Sequence, residues 1–255
     1  MNSIVCVKQV PDTESVIKID SEGTGIAEEG MKYVANPYDE FAVEEALGLR
    51  EKFGEGKVTV ITLGPQGAEE AVRYCLAMGA DEGILIKDEE PQKRDSLSVA
   101  KCLSEVIKDM DYDVIFCGKQ AVDDDAAQVG AMLAEFLDVP QATVVTKFEV
   151  AEDKKSAVAQ KQIEGGEEVI EIQLPAVITA QKGLNEPRFT SLMGIKKAMR
   201  SPLEIKEVKV PEAKMKIMSL ERPPERVPGA MFEGESADVV RELVEALKNE
   251  AKVIR

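Results

Sequence analysis

Between residues 3 and 137 short apolar runs alternate with amphipathic stretches, and this alternation restricts the fold more than any other feature of the chain. "SIVCV" (3–7), "VTVITL" (58–63), "GILIK" (83–87) and "DVIFC" (113–117) are continuous apolar runs of strand length. Between them lie "DEFAVEEALGLREKF" (39–53), "QGAEEAVRYCLAMG" (66–79), "SLSVAKCLSEVIKDM" (96–110) and, after the fourth run, "AAQVGAMLAEFL" (126–137), each with apolar residues at helical spacing. A strand apolar on both faces needs cover on both faces. The pattern therefore predicts βαβ units and a parallel sheet between two helical layers.

After Pro140 the pattern changes. "TVVTKFEV", "SAVAQKQI", "EVIEIQL" and "AVITA" are strand-like and separated by polar turns, a spacing that predicts antiparallel strands added to the sheet. An irregular stretch from 181 to about 205 follows, with no helical or strand period. From about 210 the chain reads as a proline-rich tether, "ERPPERVPGAMFEGE", ending in an amphipathic helix over 236–253 with Ser236 as its N-cap. The expected division is a nucleotide-binding type α/β domain over 1–210, with a partner-facing loop at about 181–201, and a C-terminal arm and helix over 211–255. The arm's apolar stripe either folds back or grips another subunit.

Several function classes drop out on composition. The chain has no histidine, which removes Ser-His-Asp and Cys-His catalysis and histidine-ligated metals. A net charge of −16 does not suit a nucleic acid or an anionic membrane surface. The four cysteines, Cys6, Cys75, Cys102 and Cys117, form no C-x-x-C pair and lie in apolar stretches, as expected of buried reduced thiols. The opening "MNSIVCVKQV" is too short and too soon polar for a secretory leader, and no run approaches the ~18 apolar residues of a membrane span. A cytoplasmic or mitochondrial-matrix-like location is the expectation.

Parallel α/β sheets bind ligands beyond the carboxyl ends of their strands. The loops there are "CVKQVPDT", "ANPYDE", "TLGPQG" and "CGKQAVDDD". Gly64 and Gly118 suggest close backbone approach to a ligand, and each precedes a helix N-terminus suited to phosphate. Neither the G-x-G-x-x-G nor the G-x-x-x-x-G-K-[ST] pattern occurs. The three aspartates at 123–125 have four readings. Asp124 and Asp125 could cap the following helix, the group could hold a metal, two could form an acid-base pair, or one could accept from a ribose or adenine.

The motifs "VKQVPDT", "NPYDEFAVEEAL", "LAMGAD", "GKQAVDDDAAQVG", "VPQATVVTK" and "LPAVITA…LNEPRFTSL" occur in that order over residues 5–192. Together they resemble the beta subunit of electron-transfer flavoproteins. The resemblance implies a Rossmann-like fold of the adenine-nucleotide α-hydrolase type, a mostly parallel sheet with added antiparallel strands and a C-terminal arm. It implies an electron carrier subunit without catalysis of its own, paired in a heterodimer with an alpha subunit that carries most FAD contacts. Electrons would come from an acyl-CoA dehydrogenase or a related flavin dehydrogenase and leave to a quinone-linked oxidoreductase. A structural AMP is implied at Cys6, Asn36, Pro37, Tyr38, Asp39, Leu63, Gly118, Lys119, Gln120, Ala121, Val122, Asp123, Asp124, Asp125, Ala126, Ala127, Gln128 and Val129. In the bifurcating branch a second FAD replaces AMP and NADH is met as well. Such members tend to read D-G-D-T where this chain has Asp123-Asp124-Asp125-Ala126, and "KRDSLSVAK" shares only part of their "ADTLAT"-like stretch. Dehydrogenase recognition is implied at Leu192 and Met193, with Lys196, Lys197 and Arg200 around them. There "LMGIKKAMRS" departs from the family's usual "LPNIMKAKKK". Stand-alone nucleotide-binding domains and adenine-nucleotide hydrolases of the same fold are the competing classes.

Overall fold

The computed structural model describes residues 1–224 and 228–254. They form two compact units, Met1–Leu220 and Glu221–Arg255. In the first unit nine strands make one sheet. Its parallel part contains β1 (Ser3–Cys6), β4 (Val58–Gly64), β5 (Glu82–Lys87) and β6 (Val114–Gly118). A separate two-stranded ribbon pairs β2 (Gln9–Pro11) with β3 (Tyr33–Ala35). The first four helices are α1 (Pro37–Phe53), α2 (Glu69–Met78), α3 (Ser96–Ile107) and α4 (Val129–Leu137).

Side chains on β1 alternate between two cores, as the two-residue period of a strand requires. Val5 and Val7 join a cluster with Ala42, Val43 and Leu47 of α1 and Val72, Cys75 and Leu76 of α2. Ile4 and Cys6 face the other way, toward Leu103, Val106 and Ile107 of α3 and Leu133 of α4. The two-layer cover expected from the apolar runs is thus present. Local signals set the helix ends. Gly54, left-handed, terminates α1, and Asp95 caps α3 in a reciprocal capping box with Ser98.

Beyond residue 140, β7 (Gln141–Val150), β8 (Ser156–Ile163) and β9 (Gly166–Gln173) form the expected antiparallel extension. β10 (Ala176–Ala180) corrects the expectation for "AVITA". It is parallel to both neighbours and lies between β6 and β7. All five of its residues are buried, so its continuous apolar run marks a central strand rather than a hairpin arm. The sheet order is β11-β5-β4-β1-β6-β10-β7-β8-β9, where β11 (Glu204–Lys206) is an edge strand.

The irregular stretch after Ala180 also needs correction, because it contains a helix, α5 (Leu192–Arg200). The helix expected over 126–137 starts only at Val129, since Asp125 and Ala127 have φ of 50° and 53°, outside helical geometry. In the second unit α6 (Ser236–Glu245) is followed by a π-turn, Ala246–Glu250. Ser236 is its first helical residue and not its cap; the cap position is Glu235, without a side-chain capping bond. Val240, Leu243 and Val244 on this helix are exposed. Among the described residues no helix is long and apolar enough to cross a membrane.

Candidate functional site

The chain leaves β1 through α1 to reach β4 on one side, and later returns through α3 to place β6 on the other side. The strand order therefore reverses at β1, where an open α/β sheet leaves a crevice. A cavity of about 930 Å3, counting the part open to solvent, lies there. Its walls come from the carboxyl ends of β1 (Cys6, Val7, Lys8), β4 (Leu63) and β6 (Cys117, Gly118). The segment after β5 and the start of α3 add Pro91, Arg94, Asp95, Ser96, Val99 and Leu103.

Of the residues singled out from sequence, Cys6, Asn36, Asp39, Leu63, Gly118, Lys119, Gln120, Ala121, Asp124, Ala126, Ala127, Gln128 and Val129 line this cavity. Pro37, Tyr38, Val122, Asp123 and Asp125 are not on its wall. Pro37 opens α1, and Tyr38 lies under the Lys119 ammonium, 5.0 Å from its ring centre. Sequence reasoning missed Lys8, Arg94, Asp95 and Gly130. The D-x-x-S spacing ahead of an apolar helix was a usable signal for Asp95.

Asn36 and Asp39 are buried, and their polar atoms are taken up by the protein itself. Asp39 Oδ2 accepts from the Lys8 backbone N–H at 2.7 Å. Its Oδ1 accepts from the Gly118 N–H at 3.0 Å and from Asn36 Nδ2 at 2.9 Å. Asn36 Nδ2 also donates to the Gln120 carbonyl at 2.9 Å, and Asn36 Oδ1 accepts from the Val122 N–H at 3.1 Å. Together the two side chains tie the loops after β1 and β6 to the start of α1. Burial pushes the Asp39 carboxyl up to about 7, against the pull of its three donors.

The two glycines also serve the packing of the fold. A Cβ on Gly118 would stand 2.3 Å from Asp39 Oδ1 and 2.8 Å from Tyr38 Cβ. One on Gly64 would stand 2.9 Å from Ala68 Cβ. Both glycines allow elements of the fold to approach each other, and Gly64 does not reach the cavity wall.

The aspartates do not cap α4. Its cap position is Gln128, with no side-chain capping bond. Asp123 and Asp124 instead receive the Lys8 ammonium, at 2.8 and 3.1 Å. Asp124 Oδ1 also accepts from the Ala126 N–H at 3.1 Å, and Asp125 accepts from the Gln120 side chain. Burial alone would lower the pKa of Lys8, but Asp123 and Asp124 outweigh it and raise it. Among the described residues no cluster of three or more acidic or thiol groups could hold a metal. Gln128, Val129 and Gly130 meet the cavity at the N-terminus of α4, where the first N–H groups have no intrahelical partner. On the opposite wall Arg94 holds the buried Asp88 in two contacts, 2.7 and 3.0 Å. Asp95 caps Ser98 and also accepts from the Lys214 and Met215 N–H groups. Burial would raise its pKa, but these donors bring it to about 2.

Away from the cavity, α5 has its small residues inside and its large apolar residues outside. Ala198 is buried, and a Cβ on Gly194 would stand 2.5 Å from the Ala77 carbonyl of α2. Arg73 of α2 donates to the Ala198 carbonyl at 2.8 Å, near the C-terminal end of α5. Leu192, Met193 and Met199 are 80%, 77% and 69% exposed, and Phe189 just upstream is 97% exposed. Lys196, Lys197 and Arg200 are exposed beside them. Asn185 and Arg188 fix the approach to α5 by bonding α1. Asn185 donates to the Phe41 carbonyl and Glu45, and Arg188 pairs with Glu44 and Glu51.

Fold and cavity define an open, doubly wound α/β domain with its candidate ligand site at the topological switch point. Comparison with known proteins is more specific: the chain belongs to the electron transfer flavoprotein family, among its beta subunits. The family model for the electron transfer flavoprotein domain matches residues 23–213. The chain is 41% identical to the electron transfer flavoprotein subunit beta of Bacillus subtilis, with 100% of both chains covered. It is 37% identical to the Homo sapiens protein of that name, over 95% of this chain and 96% of the other. It is 42% identical to Protein FixA of Azotobacter vinelandii, over 80% of this chain and 74% of that one.

Proposed function

We propose that this chain is the beta subunit of a heterodimer, in which a larger alpha subunit carries most contacts to FAD. The pair takes electrons from an acyl-CoA dehydrogenase or a related flavin dehydrogenase and delivers them to a quinone-linked oxidoreductase. FAD, when bound in the heterodimer, supplies the electron-carrying chemistry. The chain itself catalyses no bond change; its residues bind and orient, and the exposed Leu192 and Met193 of α5 dock the electron donor.

The switch-point cavity is read as the site of a structural AMP. The observation carrying this is the backbone of its 118–130 wall. The left-handed Ala127 next to the right-handed Gln128 makes successive N–H groups converge, and the N-terminus of α4 follows directly. That arrangement suits a phosphate in a chain that is otherwise strongly acidic. Leu63, Val99 and Leu103 give an apolar wall for the base. Asn36 and Asp39 serve by holding the loops in place, since their polar atoms are already bonded within the protein.

The test is the mass of the nucleotides released when the purified heterodimer is denatured. One AMP and one FAD per heterodimer are expected, with the isolated beta subunit colourless. Two FAD and no AMP would overturn the AMP assignment and favour a bifurcating carrier that also meets NADH. A single FAD with no other adenine nucleotide would leave the cavity without its assigned ligand.

A further inference from the structure

The sulfur-bearing residues of this chain differ widely in exposure. All four cysteines are buried. Burial raises the Cys75 and Cys102 thiols, the latter to about 11, and the adjoining Cys6 thiol together with burial raises Cys117 well above its ordinary value. Buried thiols held protonated react slowly with oxidants. Met1 and Met78 are buried too. The exposed methionines among the described residues are Met193, Met199, Met215, Met218 and Met231, while Met31, Met110 and Met132 are half-buried. Met193 and Met199 are the two on α5. Leu192, Ile195 and Met199 follow the i, i+3, i+7 spacing of one helical stripe, and Met193 flanks it.

We propose that Met193 and Met199 form an oxidant-sensitive modification site on the outer face of α5, and that their conversion to sulfoxides weakens docking of the electron donor. The inference rests on the reading of α5 as the donor's docking element. In the reaction the thioether sulfur attacks one oxygen of hydrogen peroxide. The O–O bond breaks, an S–O bond forms, and the departing hydroxide takes the proton of the transferred oxygen and leaves as water. Sulfur loses two electrons and peroxide gains them. The product is a polar, chiral group where an apolar, adaptable one stood, and enzymatic reduction of sulfoxides makes the change reversible. A face that binds by burying apolar side chains then presents two polar groups. Losing the burial of one such side chain weakens docking about tenfold or more. Oxidation of Met215, Met218 and Met231 leaves the α5 face unchanged.

The test treats the purified heterodimer with hydrogen peroxide, removes the peroxide with catalase, and locates sulfoxides by peptide mass. A substrate-reduced acyl-CoA dehydrogenase at sub-saturating concentration then reduces the carrier, with dithionite reduction as the reference. Oxidised parent protein should be reduced about tenfold more slowly by the dehydrogenase and normally by dithionite. The volume-conserving double variant Met193→Leu, Met199→Leu should be reduced equally fast before and after the same treatment, whatever its starting rate, and methionine sulfoxide reductase should restore the parent. Full sulfoxide formation at both positions without a slower rate would overturn the proposal. So would an equal loss in the double variant, or failure of Met193 and Met199 to oxidise while Met215 does. Leu192→Ala separates the two levels. If this unoxidised variant docks normally, the docking reading has failed and the sulfoxide gate fails with it. If it docks weakly while peroxide has no effect, the gate alone has failed.

Discussion

Gly118→Ala is the sharpest test of how the cavity is held open. The added methyl would lie 2.3 Å from Asp39 Oδ1, 2.8 Å from Tyr38 Cβ and 2.9 Å from the Asp39 backbone nitrogen. Two of these atoms belong to backbone or to a Cβ. The third is a carboxylate oxygen whose partner oxygen is bonded to Lys8 and which itself accepts from Asn36. None can yield without moving the start of α1 away from β6. Overpacking of this kind costs about 1–3 kcal/mol. Leaving the part-buried Gly118 N–H without its Asp39 acceptor adds about 1–3 kcal/mol. The expected destabilisation is thus about 2–6 kcal/mol, a large part of the roughly 5–15 kcal/mol that holds a typical domain together. Gly67→Ala is the control, because its added Cβ would meet nothing within 4 Å. Urea unfolding of parent and both variants, with m-values compared, measures the effect. A Gly118→Ala protein within 1 kcal/mol of the parent would refute the packing argument, and a Gly67→Ala protein equally destabilised would refute its use of local space.

Asp39 has a folded pKa of about 7, above the 3.8 of an unfolded aspartate, so its contribution to stability falls as pH rises through that interval. Between pH 5 and 8 the parent should lose about 2–3 kcal/mol more than Asp39→Asn in urea midpoints; parallel profiles for the two would contradict the shift. Leu192→Ala should weaken donor docking by about tenfold or more while dithionite reduction is unchanged, as stopped-flow flavin bleaching with each reductant would report. Ending the chain at Leu220 keeps the bonds of Lys214 and Met215 to Asp95 and of Leu220 to Gly23. Such a protein should unfold like the parent chain yet no longer hold an alpha subunit at micromolar concentration; an undiminished heterodimer in gel filtration would contradict the role given to the arm.

The parallel half of the fold was legible because its strands are buried on both faces and its helices have their apolar stripes inward, so that period and burial agree. α5 was illegible for the opposite reason. Its inward positions, the half-buried Gly194 and the buried Ala198, are small, and its large apolar residues, Leu192 and Met199, are exposed. A pattern read on the assumption that large apolar residues face the core finds no helix there. β10 was legible as a strand but not in its direction, because "AVITA" follows a hairpin closely and only its uniform burial reveals the central place. At the cavity, "NPYD" and "GKQAVDDDAAQVG" were found as loops of the right strands. The roles inside them were not, since Asp39 meets Gly118 across 79 residues of sequence and Asn36 meets Val122 across 86. Lys8 and Arg94 were missed because a lone basic residue in an acidic chain carries no periodic signal.

The place of β10 has a consequence for biosynthesis. β6 meets β7 only through β10, and β10 is made after both. A nascent chain that has not yet released residue 180 therefore holds two incomplete sheets, one ending at β6 and the other beginning at β7, each with a bare edge of unpaired N–H and C=O groups. Insertion of five residues, "AVITA", joins them. The interval between synthesis of β7 and arrival of β10 is when this chain is most open to pairing with strands of other nascent chains, and ribosome stalling in that window would favour aggregation over folding.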